Sequence, residues 1–329
     1  MDASLFKAGS EDIADNGLHI PVTPMMVNDN VIDVSAGPGP ATGTPAVLRL
    51  SPDLGYVRIV NEVTTVADAA QAEPLRFAGD VTGSDGRHQV RLTGRVPLGG
   101  QALSVPYHVP GPGRFGELAF TAALRDAGIR VDERATTGTT RHPLAEYASP
   151  PLSEQVKVML KVSSNVHTVH FPYLVGAIAG HDAGNPARRG EELQNELFRQ
   201  AGLPVGSQTR YSPDFFLTFL AHLARQRYFA AFCRALPIMG RDGTLAHVQT
   251  GSPAAGHVFA KTGTAGTTSE TTGKPVLAKG LAGYLRLPGG TWLAFAEFVE
   301  KEEATMDFIG LAGETLGEIA TAVYEEASA

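Results

Sequence analysis

Two short polar motifs in the second half of the chain contain residue types suited to binding a carboxylate and moving a proton. The clearer motif is Lys261-Thr-Gly-Thr264, which follows a predicted strand and precedes a segment rich in glycine and threonine. A lysine at the end of a strand can bind a substrate carboxylate, and threonine hydroxyls can donate hydrogen bonds to its oxygens. Small residues at this position also let a bound peptide pair along the strand edge.

The second motif is Ser163-Ser-Asn165, which follows an apolar segment at the end of a predicted helix. A hydroxyl two residues from a carboxamide can face one cleft, where the serine passes protons and the asparagine orients a substrate amide. Serine and asparagine are also common helix caps, so a purely structural role is the competing interpretation. The presence of Lys261 in the same chain favours the cleft.

The elements around these motifs predict an α+β arrangement in the second half of the chain. Apolar residues at helical spacing are followed by three neighbouring apolar segments typical of strands. Helices are predicted at 152–160, 191–201, 212–227 and 308–324, and strands at 258–261, 280–287 and 292–299. A group of helices followed by antiparallel strands and a closing helix is typical of an α+β domain.

The first half of the chain has a strand-like pattern instead. Its short apolar segments often alternate with polar residues, and clusters of Gly, Pro, Asp or Ser separate them. Strands are predicted at 31–34, 46–50, 57–60, 88–93, 103–105 and 129–131, and a helix at 113–128. We therefore expect a small β-rich module in this half, ahead of the more helical second half.

Composition and charge exclude several classes of protein. The 329 residues carry a formal net charge of -7, which argues against a non-specific binder of nucleic acid or of an anionic membrane. No apolar run approaches the roughly 18 residues of a transmembrane helix, and the first residues lack the pattern of a signal peptide. The single cysteine, Cys233, excludes an intramolecular disulfide and is predicted to be a buried small hydrophobe.

Together the two polar motifs match two of the three elements of penicillin-recognising acyl-serine enzymes, which are Ser-x-x-Lys, Ser-x-Asn and Lys-Thr-Gly in that order. From about residue 20 to the end, the chain resembles the D-alanyl-D-alanine carboxypeptidase/endopeptidase family of low-molecular-mass penicillin-binding proteins, peptidase family S13. The blocks at 236–245, 256–264 and 281–284 are similar to the family's Lys-Thr-Gly region, and residues 55–98 are similar to its inserted β-rich module.

The resemblance implies a fold and a division into domains. The implied fold is α+β, with a transpeptidase core like that of penicillin-binding proteins and β-lactamases, an antiparallel sheet with helices, plus an inserted β-rich module. Residues 1–27 are then an N-terminal connector and remnant of the catalytic domain. Residues 28–140 form the inserted module, and residues 141–329 form the C-terminal part of the serine peptidase domain.

The resemblance also implies a function and roles for individual residues. It implies a serine-type D-Ala-D-Ala carboxypeptidase/endopeptidase that acts on peptidoglycan stem peptides through an acyl-serine intermediate, in the periplasm or elsewhere outside the cytoplasm. Ser163 would relay a proton and Asn165 would position the acyl amide. The substrate-binding residues would be Thr262, Gly263 and Thr264, with Lys261 as a catalytic and carboxylate-binding lysine. It implies β-lactams as inhibitors. We expect no metal, no organic cofactor, no nucleic-acid partner and no transmembrane segment.

The nucleophile is where the sequence departs from the family. Ser4-Leu-Phe-Lys7 fits Ser-x-x-Lys literally, but a polar segment with two glycines and three acids follows it instead of an apolar helix. We therefore expect this match to be coincidental and the nucleophile to lie outside this chain. Two alternatives remain open, a catalytically inactive peptidoglycan-binding or scaffold homologue and a relocated nucleophile pair at Ser4 and Lys7.

Four other features have simpler interpretations. His167 and His170 have a spacing that could ligate a metal, but without an evident third ligand we expect polar groups beside the cleft. Asp242-Gly-Thr244 is predicted to be a structural turn. The acidic cluster 300–303 is predicted to be a solvated strand end. Residues 265–278 are predicted to form a loop beside the cleft.

Overall fold

The computed structural model describes residues 26–131, 145–182, 184–205 and 211–329, together with the backbone of two short strands before residue 20. The chain divides into two compact units, Met1–His142 and Pro143–Ala329. None of the described helices combines the length and the apolar character that a membrane crossing requires. The finer division into a connector, an inserted module and a catalytic part stays a prediction.

Among its described residues, the first unit contains three separate sheets and one α-helix. Strands β1 and β2 form an antiparallel pair, β3 lies between β4 and β8, and β7 lies between β5 and β6. Alternating strand residues such as Ile32, Val34 and Leu92 form its buried core. The elements are β1 (Asp12–Ile13), β2 (Leu18–His19), β3 (Val31–Gly37), β4 (Val47–Ser51), β5 (Val57–Val66), β6 (Glu73–Thr82), β7 (His88–Pro97), β8 (Leu103–His108) and α1 (Pro112–Asp126).

The sequence analysis of this unit missed one strand and wrongly predicted another. Strand β6 was not predicted because nearly all of its side chains are exposed, so no apolar alternation marks it. The strand predicted at 129–131 is wrong. There, the Ile129 amide donates to the Leu124 carbonyl and closes helix α1 around Gly128, whose φ of +78° suits glycine. An apolar residue that caps a helix therefore looks like the start of a strand.

The second unit is a three-stranded antiparallel sheet flanked by helices. The sheet order is β9-β10-β11, so β10 is central and β9 is an edge strand. The elements are α2 (Leu152–Val162), α3 (Asn165–Leu174) with a π-helical extension (Val175–Ala179), α4 (Pro186–Gln200), α5 (Pro213–Ala224), α6 (Phe229–Ala235), β9 (Val258–Thr268), β10 (Pro275–Arg286), β11 (Trp292–Glu302) and α7 (Asp307–Ser328). Helices α2, α4, α5 and α7 and all three strands overlap the predicted segments.

The two faces of this sheet are buried by different helices. Val258 and Ala260 of β9 pack in one cluster with Leu316 of α7. Phe259 packs in another cluster with Leu220 of α5. Successive residues of a strand point to opposite faces, so Lys261 shares the Phe259 face and Thr262 shares the face covered by α7.

The hairpin between β9 and β10 is longer than the sequence suggested. Residues 265–278 were predicted to form a loop, but β9 continues to Thr268, which pairs with Pro275. Only residues 269–274 connect the two strands. The extension carries mostly exposed threonine and glycine, so backbone pairing continues where the apolar pattern stops.

An ion pair anchors the end of helix α2 to the segment that leads into β9. The Lys161 ammonium group donates to Asp242 Oδ1 at 2.6 Å and to the Leu236 carbonyl at 2.5 Å. Asp242 Oδ1 also accepts from the Ile238 amide at 2.9 Å. The Lys161 side chain is only 13% exposed, whereas that of Asp242 is 45% exposed, so the lysine is the shielded member of this pair.

Gly243 is required beside this ion pair for two reasons. Its φ is +63°, which favours glycine. A Cβ atom at this position would lie 2.8 Å from the Lys161 carbonyl oxygen and 3.0 Å from Pro237 Cβ. The predicted turn at Asp242-Gly-Thr244 thus permits a close approach of two backbone segments and contributes to the anchor of α2.

A carboxyl group is buried on the sheet face that α7 covers. Glu297 of β11 pairs with Leu281 of β10, which belongs to the cluster on that face. Among the described residues, Glu297 Oε1 is buried without a hydrogen-bond partner. Burial raises the pKa of Glu297 from 4.5 to about 7, because the charged form is poorly solvated there.

We expect Asp242→Asn to lower the free energy of unfolding by about 1–3 kcal/mol, because it leaves the shielded Lys161 ammonium group without a counter-charge. Urea unfolding followed by circular dichroism measures this change. The matched control is Glu303→Gln, which breaks an exposed ion pair with Lys274. The control should change the free energy of unfolding by less than about 1 kcal/mol. Equal effects of the two substitutions would contradict the anchoring role.

We expect Glu297→Gln to remove a pH-dependent loss of stability. The folded-state pKa lies above the unfolded value, so the folded chain binds the extra proton and the wild type loses stability as the pH rises from about 4.5 to about 7. The glutamine variant should be more stable at about pH 8 by roughly 1–3 kcal/mol. Thermal unfolding at several pH values tests this. Glu300→Gln, at an exposed position of the same strand, is the control. Identical pH profiles for wild type and Glu297→Gln would refute the prediction.

Candidate active site

The two polar motifs meet in the second unit. The Lys261 ammonium group donates to Ser163 Oγ at 2.6 Å, although the two residues are 98 positions apart in the sequence. It also donates to the Thr262 carbonyl oxygen at 2.7 Å. The contact joins the end of helix α2 to the edge strand β9 and defines the candidate site.

The two serines of the Ser-Ser-Asn motif have different roles. Ser163 ends helix α2 in a left-handed conformation, with φ 57° and ψ 45°. Ser164 is the N-cap of α3, where its Oγ accepts from the His167 amide and lies 2.8 Å from His167 Nδ1. Capping is therefore done by Ser164, which leaves the Ser163 hydroxyl directed at Lys261. Asn165 is the first residue of α3, so it lies in the same turn as Ser163 and Ser164. It is exposed.

The three residues after Lys261 have distinct surroundings. Thr262 Oγ1 lies 3.0 Å from Thr244 Oγ1, and Thr264 Oγ1 accepts from the Lys279 ammonium group at 2.9 Å. Gly263 shares the face of Lys261, and a Cβ atom there would meet no other atom within 4 Å. The space beside Lys261 is therefore open to a ligand.

The outer edge of strand β9 is open beside the site. At its start this edge is paired, since the Met239 amide donates to the Val258 carbonyl and the Ala260 amide donates to the Pro237 carbonyl. Backbone groups alternate in direction along a strand, so those of Thr262 and Thr264 point to the same edge. Within the described part of the chain no strand pairs with this edge beyond Ala260. An extended peptide could add there.

The lysine at the centre of the site has an altered acidity. Burial and the positive charge of Lys279 lower the pKa of Lys261 from 10.5 to about 8. Burial also lowers the pKa of Lys279. A lysine with a pKa near the working pH can gain and lose a proton readily, which suits proton transfer and carboxylate binding.

A small cavity of about 60 Å³ lies on the α7 face of the sheet next to Thr262. Two threonines and a lysine line it together with apolar residues. The main lining residues are Thr244, Leu245, Thr262, Lys279, Leu281 and Leu316. The sequence motifs did not indicate Thr244 or Lys279, because both reach the site only through strand pairing and a turn.

The two histidines and the single cysteine that the sequence analysis considered lie in surroundings that indicate structural roles. His167 is engaged with Ser164, and the pKa of His170 is lowered by burial and by the neighbouring His167. The residues that the structure describes contain no group of three or more His, Cys, Asp or Glu arranged for a metal ion. Cys233 is 4% exposed, which confirms its predicted burial, and burial raises the pKa of its thiol to about 12. A protonated buried thiol is unreactive.

Comparisons with known proteins place the chain in a family. The sequence model of the D-Ala-D-Ala carboxypeptidase 3 (S13) family matches residues 1–309, so the match begins before residue 20 and ends before the C-terminus. Over 264 residues the chain is 28% identical to a D-alanyl-D-alanine carboxypeptidase from Actinomadura sp. (strain R39). That alignment covers 74% of this chain and 48% of the relative, so the chain spans about half the relative's length.

The fold is similar to crystal structures of penicillin binding protein 4 (dacB) from Haemophilus influenzae. One gives a TM-score of 0.71 at 18% identity and covers 99% of this chain and 74% of that chain. Another, of that protein complexed with a novel β-lactam, gives a TM-score of 0.65 at 19% identity and covers 94% and 71%. These matches confirm the predicted α+β fold of penicillin-binding proteins. With the family match over most of its length, the chain belongs to the D-Ala-D-Ala carboxypeptidase 3 (S13) family.

Proposed function

We propose that this chain is a serine-type D-Ala-D-Ala carboxypeptidase/endopeptidase homologue that acts on peptidoglycan stem peptides through an acyl-serine intermediate. The observation that carries the proposal is the 2.6 Å contact between Lys261 and Ser163 beside an open strand edge. Family membership supports the reaction class. Such a protein works outside the cytoplasm, where peptidoglycan lies, and β-lactams are its expected inhibitors, in line with the β-lactam complex of the Haemophilus relative.

The stem peptide binds as an extra strand along β9. Its backbone pairs with the outward groups of Thr262 and Thr264, as in other cases of strand addition. The open space at Gly263 accommodates a small side chain such as that of D-alanine. Lys261 and the Thr262 hydroxyl then bind the terminal carboxylate through charge-assisted hydrogen bonds. Asn165, in the turn after α2, orients the acyl amide.

Ser163 delivers the proton to the leaving group. Because Lys261 donates to Ser163 Oγ, the Ser163 hydroxyl is free to donate its own proton to another acceptor. When the tetrahedral intermediate collapses, the C–N bond breaks and that proton moves to the departing amine nitrogen. Ser163 regains a proton from Lys261, whose pKa of about 8 suits this transfer. The backbone N–H of Thr264 stabilises the oxyanion.

The acylation step requires a serine nucleophile with its own base. The nucleophile attacks the D-Ala-D-Ala carbonyl carbon, forms the ester and is released when water attacks the ester. Ser4 and Lys7 form the one Ser-x-x-Lys pattern in this sequence, and both lie outside the described residues. The proposal assigns Ser163, Asn165 and Lys261 to recognition and proton transfer and leaves the position of the nucleophile to experiment.

A second candidate function is binding of peptidoglycan without catalysis. It is favoured by the composition of the described site, whose lysine, serine and threonine side chains are of types that can bind a peptide or move a proton. The strand edge, the lysine and the threonine hydroxyls are sufficient for recognition of a stem peptide. Catalysis and binding therefore differ in one property, the formation of a covalent acyl-serine.

We expect binding of a free D-Ala-D-Ala terminus to depend on the charge of Lys261. Affinity for diacetyl-L-Lys-D-Ala-D-Ala should fall as the pH rises from about 7 to about 9, since Lys261 loses its proton near pH 8. Lys261→Met should weaken binding at neutral pH roughly 10-fold and flatten the pH profile. Nuclear magnetic resonance titration measures both. Lys274→Met, in the turn of the same hairpin, is the control. Unchanged affinity and pH profile in Lys261→Met would disprove the role of Lys261.

The intact mass of the chain after incubation with benzylpenicillin separates the two candidate functions. A covalent adduct of one drug mass, mapped by digestion to a serine and abolished by its replacement with alanine, is the outcome that the catalytic proposal expects. Peptide binding without an adduct is the outcome that the binding function expects. A folded chain that gives neither an adduct nor peptide binding contradicts both.

A further inference from the structure

We propose that Lys279 is a second cation for the terminal carboxylate of the bound peptide, so that Lys261 and Lys279 bind this carboxylate from opposite faces of strand β9. The inference rests on the proposed function and deepens it. It identifies a specificity-determining residue that the Ser-x-Asn and Lys-Thr-Gly motifs do not contain. It also predicts which chemical feature of the peptide end is selected.

Strand register places Lys279 at the site. Lys279 of β10 pairs directly with Thr264 of β9, so the two side chains share one face of the sheet. The Lys279 ammonium group donates to Thr264 Oγ1 at 2.9 Å, and Lys279 and Thr262 both line the small cavity. Lys261 points to the other face, and its ammonium group contacts the Thr262 carbonyl at the open edge. The strand segment that receives the peptide thus lies between two cations.

Neither cation is neutralised by the described part of the chain. Among the described residues, Lys157, Lys161 and Lys274 of the second unit have carboxylate partners within 4 Å, whereas Lys301 has none and lies over the Phe308 ring. No described carboxylate lies within that distance of Lys261 or Lys279. Burial and, secondarily, the positive charge of Lys279 make the charged form of Lys261 costly and lower its pKa. A bound anion would offset this cost.

The competing interpretation makes Lys279 a structural counter-ion of Glu297. Glu297 pairs with Leu281 and is therefore a diagonal neighbour of Lys279 on the same face. Their charged atoms do not come within 4 Å, however, and Glu297 Oε1 is buried without a hydrogen-bond partner among the described residues. The Lys279 hydrogen bond goes to Thr264 instead. The geometry favours an external carboxylate as the partner of Lys279.

The chemistry of the two lysines predicts selection for a free carboxyl end. A terminal carboxylate carries a full negative charge and two acceptor oxygens, which match an ammonium group on each face and the threonine hydroxyls on the Lys279 face. A C-terminal amide has the same shape but no charge. It would leave Lys279 without a counter-charge, so the site discriminates between acid and amide through electrostatics and not through size.

The test compares diacetyl-L-Lys-D-Ala-D-Ala with its C-terminal amide. Dissociation constants of both peptides are measured by nuclear magnetic resonance titration at neutral pH for the full chain and its variants. Wild type should prefer the acid. Lys279→Met should weaken binding of the acid about 10-fold and leave that of the amide within about 2-fold. Lys279→Arg should keep most of the preference because it keeps the charge.

Control variants separate the carboxylate role from structural effects. Lys274→Met removes the same charge from the same hairpin, and Glu297→Gln tests the structural counter-ion, so both should keep the wild-type acid preference. Lys279→Gln keeps a hydrogen-bond donor for Thr264 and serves if Lys279→Met unfolds. An unchanged ratio of acid to amide affinity in folded Lys279→Met or Lys279→Gln would overturn the inference alone. If wild type bound neither the acid nor the amide, both the inference and the proposed function would be overturned.

Discussion

The ion pair between Lys161 and Asp242 is the interaction on which the candidate site depends. It joins the last turn of α2 to the segment that enters β9, and Gly243 lets the two backbones approach closely. Ser163 follows Lys161 by two residues, so its hydroxyl can reach Lys261 only while that end of the helix stays in place. The Lys161 side chain is largely shielded from water, so loss of its counter-charge is costly. The contact between Ser163 and Lys261 therefore depends on an ion pair that lies outside both sequence motifs.

Alternation along one strand distributes the functional groups of the site. Lys261 and Gly263 lie on one face of the sheet and Thr262 and Thr264 on the other, while backbone groups of the threonines point to the open edge. Residues 261–264 thus supply a cation, an open space at the glycine, two hydroxyls and a strand edge with which a peptide can pair. Lys279 enters from the neighbouring strand because register places it opposite Thr264. A compact motif can in this way surround a ligand without a deep pocket.

Sequence reasoning predicted the parts of this arrangement that leave a local pattern. Apolar periodicity located most helices and strands of the second unit, and the two motifs together with a resemblance along most of the chain indicated the S13 family and its fold. Strand β6 and the extension of β9 to Thr268 were missed, because exposed polar strands have no apolar alternation. Lys279 was missed for a related reason. Its partner is defined by strand register, and register follows from a hairpin length that the sequence pattern did not reveal.

The same limit applies to Ser163. The sequence left open whether the Ser-Ser-Asn motif caps a helix or faces a cleft, and in the structure Ser164 is the cap while Ser163 contacts Lys261. No local pattern could separate them, since the difference is which hydroxyl reaches a lysine 98 residues away.

The left-handed backbone at Ser163 sets folding and chemistry against each other. Glycine adopts a φ of 57° most readily, and a residue with a side chain in this conformation lowers the stability of the fold by about 1 kcal/mol. Selection for thermal stability alone would therefore drift towards glycine at this position and delete the hydroxyl. Selection for peptide processing would retain serine despite its conformational cost. The residue at position 163 consequently reports which of the two pressures has shaped a given homologue.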